Sequence, residues 1–413
     1  MKIGFLGLGK LGLPVALAVE NKGHKVIGYD ISNKVKSFIK LKKIPYREVE
    51  APKLLKKSKL KLVDIENLVS KSEIIFVPIQ TPHNKKYEGI TSIPKKRIDF
   101  DYKYLKKGIK DLADEIKSQK KNKVVIIIST VLPGTINREI KPLLNKYVKL
   151  CYNPFFIAMG TTINDFLNPE IILFGVDDKY AAQKAEKFYK TINRSPFFKT
   201  TIENAELIKV CYNTFISTKI AFINTVMELC HSLPNTNVDQ VTKALSMCTG
   251  RIISNKYLYG GMGDGGGCHP RDNIALSWLA RKKNLSMDWF EATMLQRELQ
   301  TKWLAKLITK NLPRGKKVVI LGKSFKPETN IITGSPSILL GNFLKSKNIR
   351  FSYYDPFIDK KKPIFKSGLF FIGTKHSQFK KFKFPKNSVV IDPFRYIPRN
   401  KFIKLISLGK TNK

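Results

Sequence analysis

The sequence predicts an α/β chain in three parts: two doubly wound parallel-sheet domains joined by a central helical domain built on one long helix. Three observations carry this reading. Residues 2–30 run as a short apolar segment, a glycine turn, an apolar helical segment and a second apolar segment, the layout of a βαβ unit. Residues 203–231 form a helix-compatible stretch without Pro or Gly. Residues 316–392 then return to short apolar runs between amphipathic segments.

The elements follow in order. KIGFL at 2–6 reads as a buried strand, 7–12 as a glycine turn, 13–22 as a helix ended by Gly23, and KVIGY at 25–29 as a strand closing on Asp30. The apolar runs IIFVPI (74–79), VVIII (124–128) and IILFG (171–175) alternate with Lys-rich amphipathic stretches, which implies a parallel sheet with helices on both faces. This first domain spans 1–202. The helical middle, 203–312, contains the long stretch and further segments at 238–247, 272–283 and 287–309. The last domain, 313–413, opens with KKVVILG at 316–322, continues through a helix (336–347) and a strand (349–354), and reaches a strand at 388–392.

With 413 residues and 43% hydrophobic content the chain can bury a sizeable core, which excludes disorder, collagen and coiled coil. Its 75 Lys+Arg against 32 Asp+Glu give a formal charge of +43. The lysines are scattered along the whole chain rather than gathered in one arm, so they read as a solvated basic surface and no specific nucleic-acid partner is expected. Five cysteines without a C-x-x-C pair and five histidines exclude a disulfide scaffold and a structural zinc, and no metal is expected. The apolar N-terminus resembles a secretory signal, but Gly7, Gly9, Gly12 and Lys10 do not suit one. No run of about 18 apolar residues occurs elsewhere, so no membrane span is expected and a cytoplasmic location follows.

Three sites carry chemistry. Gly7-x-Gly9-x-x-Gly12 lies on a strand-to-helix turn, with Asp30 at the end of the next strand. In a Rossmann-like unit such glycines allow the tight turn, admit a pyrophosphate to the helix N-terminus and let helix pack on strand. Asp30 would accept from ribose hydroxyls and repel a 2′-phosphate, which favours NAD over NADP. The ribbon Gly260-Gly261-Met262-Gly263-Asp264-Gly265-Gly266-Gly267 leads to Cys268 and a helix beginning near Asp272. A helix N-terminus with Arg271 nearby favours the thiolate, so Cys268 is the candidate nucleophile. Cys151, Cys211, Cys230 and Cys248 read as core residues. Lys209 and Asn213, spaced i, i+4, share one helix face; they suit an oxyanion, and a solvated lysine is an equal alternative.

Ordered motifs extend the pattern: GFLGLGKLGLP (4–14), Thr81-Pro82, STVLPGT (129–135), NP…GTTINDFLNPEIILFG (153–175), ENAELIKVCYNTF (203–215), GGMGDGGGCHPRD (260–272), LGKSFKPET…SP (321–336) and YDP (354–356). Over essentially its full length the chain resembles the UDP-glucose/GDP-mannose dehydrogenases. The resemblance implies an NAD-dependent, four-electron oxidation of a nucleotide-sugar C6 hydroxyl, with UDP-glucose the first expectation for substrate, in a homodimer. It implies catalytic roles for Cys268, Lys209, Asn213, Asp272 and Thr130, and NAD contacts from Gly7, Gly9, Lys10, Leu11, Gly12, Asp30, Thr81 and Thr130. Substrate contacts are implied for Phe156, Lys209, Asn213, Arg251 (from across the dimer), Tyr257, Gly265, Phe325 and Lys326.

The chain departs from the family in Phe155 and Met159, where two Glu are usual, in Thr333, where an Arg is usual, and in Gly267 before the nucleophile. Asp272 or Asp264 is then expected to activate water, and lysines to replace the arginine's charge. The alternatives are a UDP-N-acetylhexosamine dehydrogenase, a member impaired in thioester hydrolysis, and a non-catalytic nucleotide-binding protein on the same fold.

Overall fold

Fully buried aliphatic runs build two sheets in this chain. The structure, a computed structural model, describes residues 1–410 except 83, 84, 93, 95, 251, 253–256, 258, 283 and 285–287. It divides into two units, residues 1–82 with 100–211 and residues 83–99 with 212–413.

The first unit runs β1 (Lys2–Leu6), α1 (Gly12–Asn21), β2 (Lys25–Tyr29), α2 (Asn33–Lys40), α3 (Ala51–Lys57), β3 (Lys61–Leu62), α4 (Ile65–Lys71), β4 (Ile74–Val77), α5 (Lys103–Gln119), β5 (Lys123–Ile127), β6 (Val148–Tyr152), α6 (Thr162–Leu167), β7 (Ile172–Val176), α7 (Lys179–Lys190) and β8 (Phe197–Thr200). The sheet order is β3-β2-β1-β4-β5-β6-β7-β8. Strands β4 and β5 are buried along their whole length, which suits central strands covered on both faces. One pair departs from the expected parallel arrangement: β6 and β7 are antiparallel. Apolar runs carry no sign of strand direction, so the sequence could not reveal this. Phe5, Phe76, Phe174 and Phe188 lie in the core of this unit, with α1 contributing Val15, Ala16 and Val19.

Helix α8 (Ile202–Ser232) has 31 residues, about 46 Å at 1.5 Å per residue, and the boundary between the units falls within it. The second unit continues with α9 (Val238–Met247), α10 (His269–Lys282), α11 (Trp289–Asn311), β9 (Val318–Leu321), α12 (Pro336–Ser346), β10 (Phe351–Tyr354), β11 (Leu369–Ile372), β12 (Ser388–Asp392) and β13 (Ile403–Ser407). Its sheet, in order β10-β9-β11-β12-β13, is parallel throughout. Met227 of α8, Leu304 and Ile308 of α11, and Leu340 of α12 pack on Val318, Ile320 and Phe371.

The two sheets share a local device. After β1, Gly7 (φ +111°) donates its N–H to the Tyr29 carbonyl at 2.8 Å, and after β9, Gly322 (φ +100°) donates to Tyr354 at 2.8 Å. The aspartate that follows each tyrosine then hooks the glycine turn: Asp30 accepts from Leu8 N–H at 2.7 Å, and Asp355 from Lys323 N–H at 2.7 Å and Ser324 N–H at 3.0 Å. Burial alone would raise the Asp355 carboxyl; His376 and the backbone N–H groups outweigh it and hold it at about 2.

A Cβ on Gly12 would lie 2.2 Å from the Gly7 carbonyl oxygen. Gly12→Ala should therefore destabilise the chain by about 2 kcal/mol, read from urea unfolding midpoints; an unchanged midpoint would contradict the tight helix–turn contact.

Candidate functional site

In the first unit the sequence-predicted nucleotide residues gather at the carboxyl ends of β1, β2, β4 and β5, the side of an α/β sheet where ligands bind. Gly12 is demanded by packing, whereas a Cβ on Gly9 would meet no heavy atom within 4 Å. Space above Gly9, and a first turn of α1 with neither a side-chain cap nor an acidic residue, fit a pyrophosphate. Lys10 is exposed and Leu11 half-buried on this turn. Asp30 is half-buried, and its oxygens accept from Leu8 N–H at 2.7 Å and Ser32 N–H at 2.8 Å. That arrangement leaves carboxylate lone pairs for ribose hydroxyls. Thr81, buried, donates from Oγ1 to the Thr130 carbonyl at 2.7 Å, which brings those two predicted residues together.

Loop 129–135 leads into a π-helical turn, Ile136–Ile140, and is held from α8 by a residue that sequence reasoning missed. Glu206 is fully buried and accepts from Gly134 N–H at 2.6 Å and Ile136 N–H at 2.8 Å. Burial pushes its carboxyl up to about 7, against the pull of the two N–H groups. One turn along the helix, Lys209 is only 6% exposed, and its Nζ lies 5.3 Å from the Phe156 ring centroid. This rules out the reading of Lys209 as a solvated surface lysine. Phe155, standing where the family has a carboxylate, packs into the core with its ring 5.5 Å from that of Phe166.

In the second unit, the first turn of α10 docks on α8. Cys268 is half-exposed, and its carbonyl accepts the Asp272 N–H at 2.8 Å, so it opens the helix. Asp272, fully buried, accepts from Asn213 Nδ2 at 2.5 Å and from Arg271 at 2.9 Å. Arg271, expected to favour the Cys268 thiolate, thus directs its guanidinium to Asp272. One turn beyond Asn213, Ser217 donates to Asp264 Oδ2 at 2.7 Å and lies 3.0 Å from His269 Nδ1 and 3.1 Å from Asn273 Nδ2. The spacing 209, 213, 217 continues the register noted in the sequence, and it is the signal by which Ser217 could have been found.

The ribbon is held by a second residue without a sequence signal. Arg297 of α11 is buried and pairs with Asp264 Oδ1 at 2.9 Å, while donating to the carbonyls of Gly89 at 2.8 Å and Gly334 at 3.0 Å. The guanidinium beside the 333–334 segment comes from α11. Gly266 (φ +86°) and Gly265 lie against Phe325, where a Cβ would approach its side chain to 2.9 and 3.1 Å. Lys326 Nζ is 5.7 Å from the Phe325 ring centroid, and the Thr333 methyl stands 4.0 Å from a Cβ built on Gly267. Tyr257 is exposed with φ +66°. Arg251 lies outside the described residues. Cys151 and Cys230 are buried as expected, but Cys211 and Cys248 are exposed: Cys211 faces outward on α8, and Cys248 caps the end of α9. Among the described residues no His, Cys, Asp or Glu cluster could hold a metal ion, and no helix is long and apolar enough to cross a membrane.

Comparison with known proteins places this geometry in context. The NAD binding domain of the UDP-glucose/GDP-mannose dehydrogenase family matches residues 1–193, and the central domain of that family matches residues 203–296. The chain is 30% identical over 374 residues to a UDP-glucose 6-dehydrogenase of Rhizobium meliloti (strain 1021), covering 86% of this chain and 82% of that protein. Its fold is shared with a UDP-glucose dehydrogenase from Pyrobaculum islandicum, at TM-score 0.86 and 23% identity over 99% of this chain and 97% of that one. It is shared too with a UDP-D-ManNAc dehydrogenase from Pyrococcus horikoshii, at TM-score 0.83 and 23% identity over 100% of both chains.

Because the native state binds the Glu206 proton more tightly than the unfolded chain does, stability falls as pH rises from the ordinary glutamate range to about 7. Glu206→Gln should remove that part of the slope, leaving unfolding free energy flatter over this window than in the wild type. Parallel slopes in the two proteins would contradict the assignment.

Proposed function

The chain belongs to the UDP-glucose/GDP-mannose dehydrogenase family and is an NAD-dependent nucleotide-sugar dehydrogenase, and on that premise we propose that it oxidises the C6 hydroxyl of UDP-glucose to the carboxylate through Cys268. The observation that supports the covalent route is the seating of Cys268 at the head of α10, one turn before Asp272, whose carboxylate is bonded to Asn213. The preference for UDP-glucose rests on the relative named UDP-glucose 6-dehydrogenase, which covers most of the chain.

Bound NAD would supply the hydride acceptor for the two oxidations at C6. Gly7, Gly9, Lys10, Leu11 and Gly12 would hold its pyrophosphate, Asp30 its ribose, and Thr81 and Thr130 would flank the reactive end. The Lys209 ammonium would neutralise the alkoxide that forms when the hydroxyl loses its proton, and the Asn213 amide would donate a hydrogen bond to it; losing such a contact costs roughly 10²–10³ in rate. Cys268 Sγ bonds to the aldehyde carbon as a thiohemiacetal, and after the second oxidation the carbon is held as a thioester. Water then breaks the C–S bond. Asp272 orients Asn213. Phe325, Lys326 and Gly265 form the wall against which the nucleotide-sugar lies, with Phe156, Tyr257 and Arg251 as further contacts.

Three functional domains are assigned on this reading, 1–202 for NAD, 203–312 for catalysis and dimerisation, and 313–413 for the nucleotide. Tyr212, Phe215 and Phe222 are exposed along α8 and supply an apolar face for a homodimer. The protein works in the cytoplasm, with no nucleic-acid or membrane partner.

Two reduced NAD per UDP-glucose, with UDP-glucuronate as product by mass, is the expected stoichiometry. One reduced NAD with aldehyde would overturn the four-electron route, and faster turnover of a UDP-N-acetylhexosamine would overturn the substrate. Cys268→Ser should abolish acid formation, and acid formed at the wild-type rate would exclude the thioester. Light scattering should give twice the chain mass, reduced to one chain by Phe222→Glu; a monomeric wild type would contradict the dimer.

A further inference from the structure

We propose that His376 is a positioning residue for the nucleotide-sugar: its imidazole shapes the turn 323–328 that presents Phe325 and Lys326. The proposal rests on the assignment of those two residues to the substrate wall, and it concerns what holds that wall in place. The base of the turn is closed by Phe325 N–H, which donates to the Ile331 carbonyl at 2.9 Å. Side chains from two other segments take up the backbone around it. Asp355 accepts Lys323 N–H and Ser324 N–H, and Thr374 Oγ1 donates to the Ser324 carbonyl at 2.7 Å. His376 supplies the contacts nearer the tip.

Hydrogen counting fixes the imidazole. A backbone N–H can only donate, and Glu328 N–H meets Nδ1 at 3.0 Å, so Nδ1 accepts and the ring proton sits on Nε2. That proton is shared between Ser324 Oγ at 3.0 Å and Asp355 Oδ2 at 3.2 Å. Ser324, accepting from the ring, turns its own hydroxyl proton to the Lys326 carbonyl at 3.1 Å. One imidazole thus sets both sides of Pro327: the carbonyl of Lys326 through Ser324, and the N–H of Glu328 directly. The second contact matters most, because Glu328 stands at φ +58°, a left-handed conformation that a residue other than glycine keeps only where its surroundings impose it. Glu328 Oε1 adds a bond from Ser377 N–H at 2.8 Å.

The imidazole is itself locked. His376, Ser324 and Asp355 are buried, the rings of Phe357 and Phe379 lie 4.7 and 5.5 Å from the imidazole centroid, and Tyr396 Oη donates to the His376 carbonyl at 3.1 Å. The hook of the first sheet differs. Asp30 accepts one N–H on each oxygen, whereas Asp355 accepts three donors on Oδ2 and Phe357 N–H on Oδ1 at 2.9 Å. A Cβ on Gly322 would also stand 2.5 Å from Thr374. In the second sheet the aspartate therefore holds protein, and the groups offered to a ligand are carried outward to Phe325 and Lys326.

Titration calorimetry with UDP and, separately, with NAD tests this, because an unfolded fraction lowers the stoichiometry and not the dissociation constant. His376→Ala should weaken UDP about tenfold and leave NAD within about twofold, since it leaves a buried N–H without its acceptor. His376→Asn sets an amide oxygen close to the place of Nδ1 and should return UDP to within about threefold of wild type. His376→Gln reaches toward Asp355 without an acceptor for Glu328 N–H, and should resemble the alanine variant. Lys326→Ala, the control for the wall, should weaken UDP. Unchanged UDP binding in His376→Ala beside a weakened Lys326→Ala would overturn the proposal alone. So would equal loss of UDP and NAD, or Asn and Gln variants that bind alike, either of which would mark the ring as filling space only. Unchanged binding in Lys326→Ala would instead overturn the substrate wall, and the role of His376 with it. A wild type that binds GDP and not UDP would overturn the choice of UDP-glucose, and the same series read with GDP then decides the role of His376.

Discussion

The structure of the second unit depends on the hydrogen-bonded seam between α8 and the first turn of α10. Asn213 meets Asp272, and Ser217 meets Asp264, His269 and Asn273, all in a setting where the Asp272 carboxylate has no exposed surface. A charged group so buried is tolerable only because each oxygen has a donor, Asn213 on one and Arg271 on the other. Hydrogen bonds to charged groups contribute about 1.5–3 kcal/mol each, and removing one partner leaves a buried charge behind. The seam therefore fixes the axial position of α10, and with it the direction in which Cys268 leaves the glycine ribbon. Arg297 secures the other end of the ribbon through Asp264 and two carbonyls.

The nucleotide half uses a different means. There the backbone shapes the turn: no heavy atom lies within 4 Å of where a Gly9 Cβ would stand, and Asp30 closes the turn by accepting from Leu8 N–H. The same closure recurs at Gly322 and Asp355, so both sheets begin with a strand, a left-handed glycine and an aspartate hook. A shared local solution of this kind needs no detectable sequence repeat, since only two residues and a backbone register define it. Glu206 links this half to α8 by gripping loop 129–135, and burial keeps it poised near neutral pH.

Much of this was legible in the sequence. Strands β1, β2, β4, β5, β9 and β12 and helices α8 and α9 lie where apolar runs and helical periodicity put them. Strands β3 and β8 escaped notice because one has two residues and the other exposes Phe198 and Lys199, so neither carries a buried run. The Gly7–Gly12 turn, Asp30 and the shared helix face of Lys209 and Asn213 are readable from spacing. Arg297 and Glu206 were not, because their partners are 33 and 70 or more residues away and no local period marks a buried ion pair or a long-range cap. Charge in a sequence also does not reveal its partner: Arg271 pairs with Asp272, and Asp264 with Arg297 and Ser217.

The scattered lysines stay compatible with this picture, since the pairs that organise the second unit are the arginine–carboxylate pairs Arg271–Asp272 and Arg297–Asp264. The α8–α10 seam behaves as a coupled unit. A double-mutant cycle on Asn213→Ala and Asp272→Ala, followed by urea unfolding, tests this most directly. The account predicts a coupling of about 1.5 kcal/mol or more; effects that add to within about 0.5 kcal/mol would contradict it.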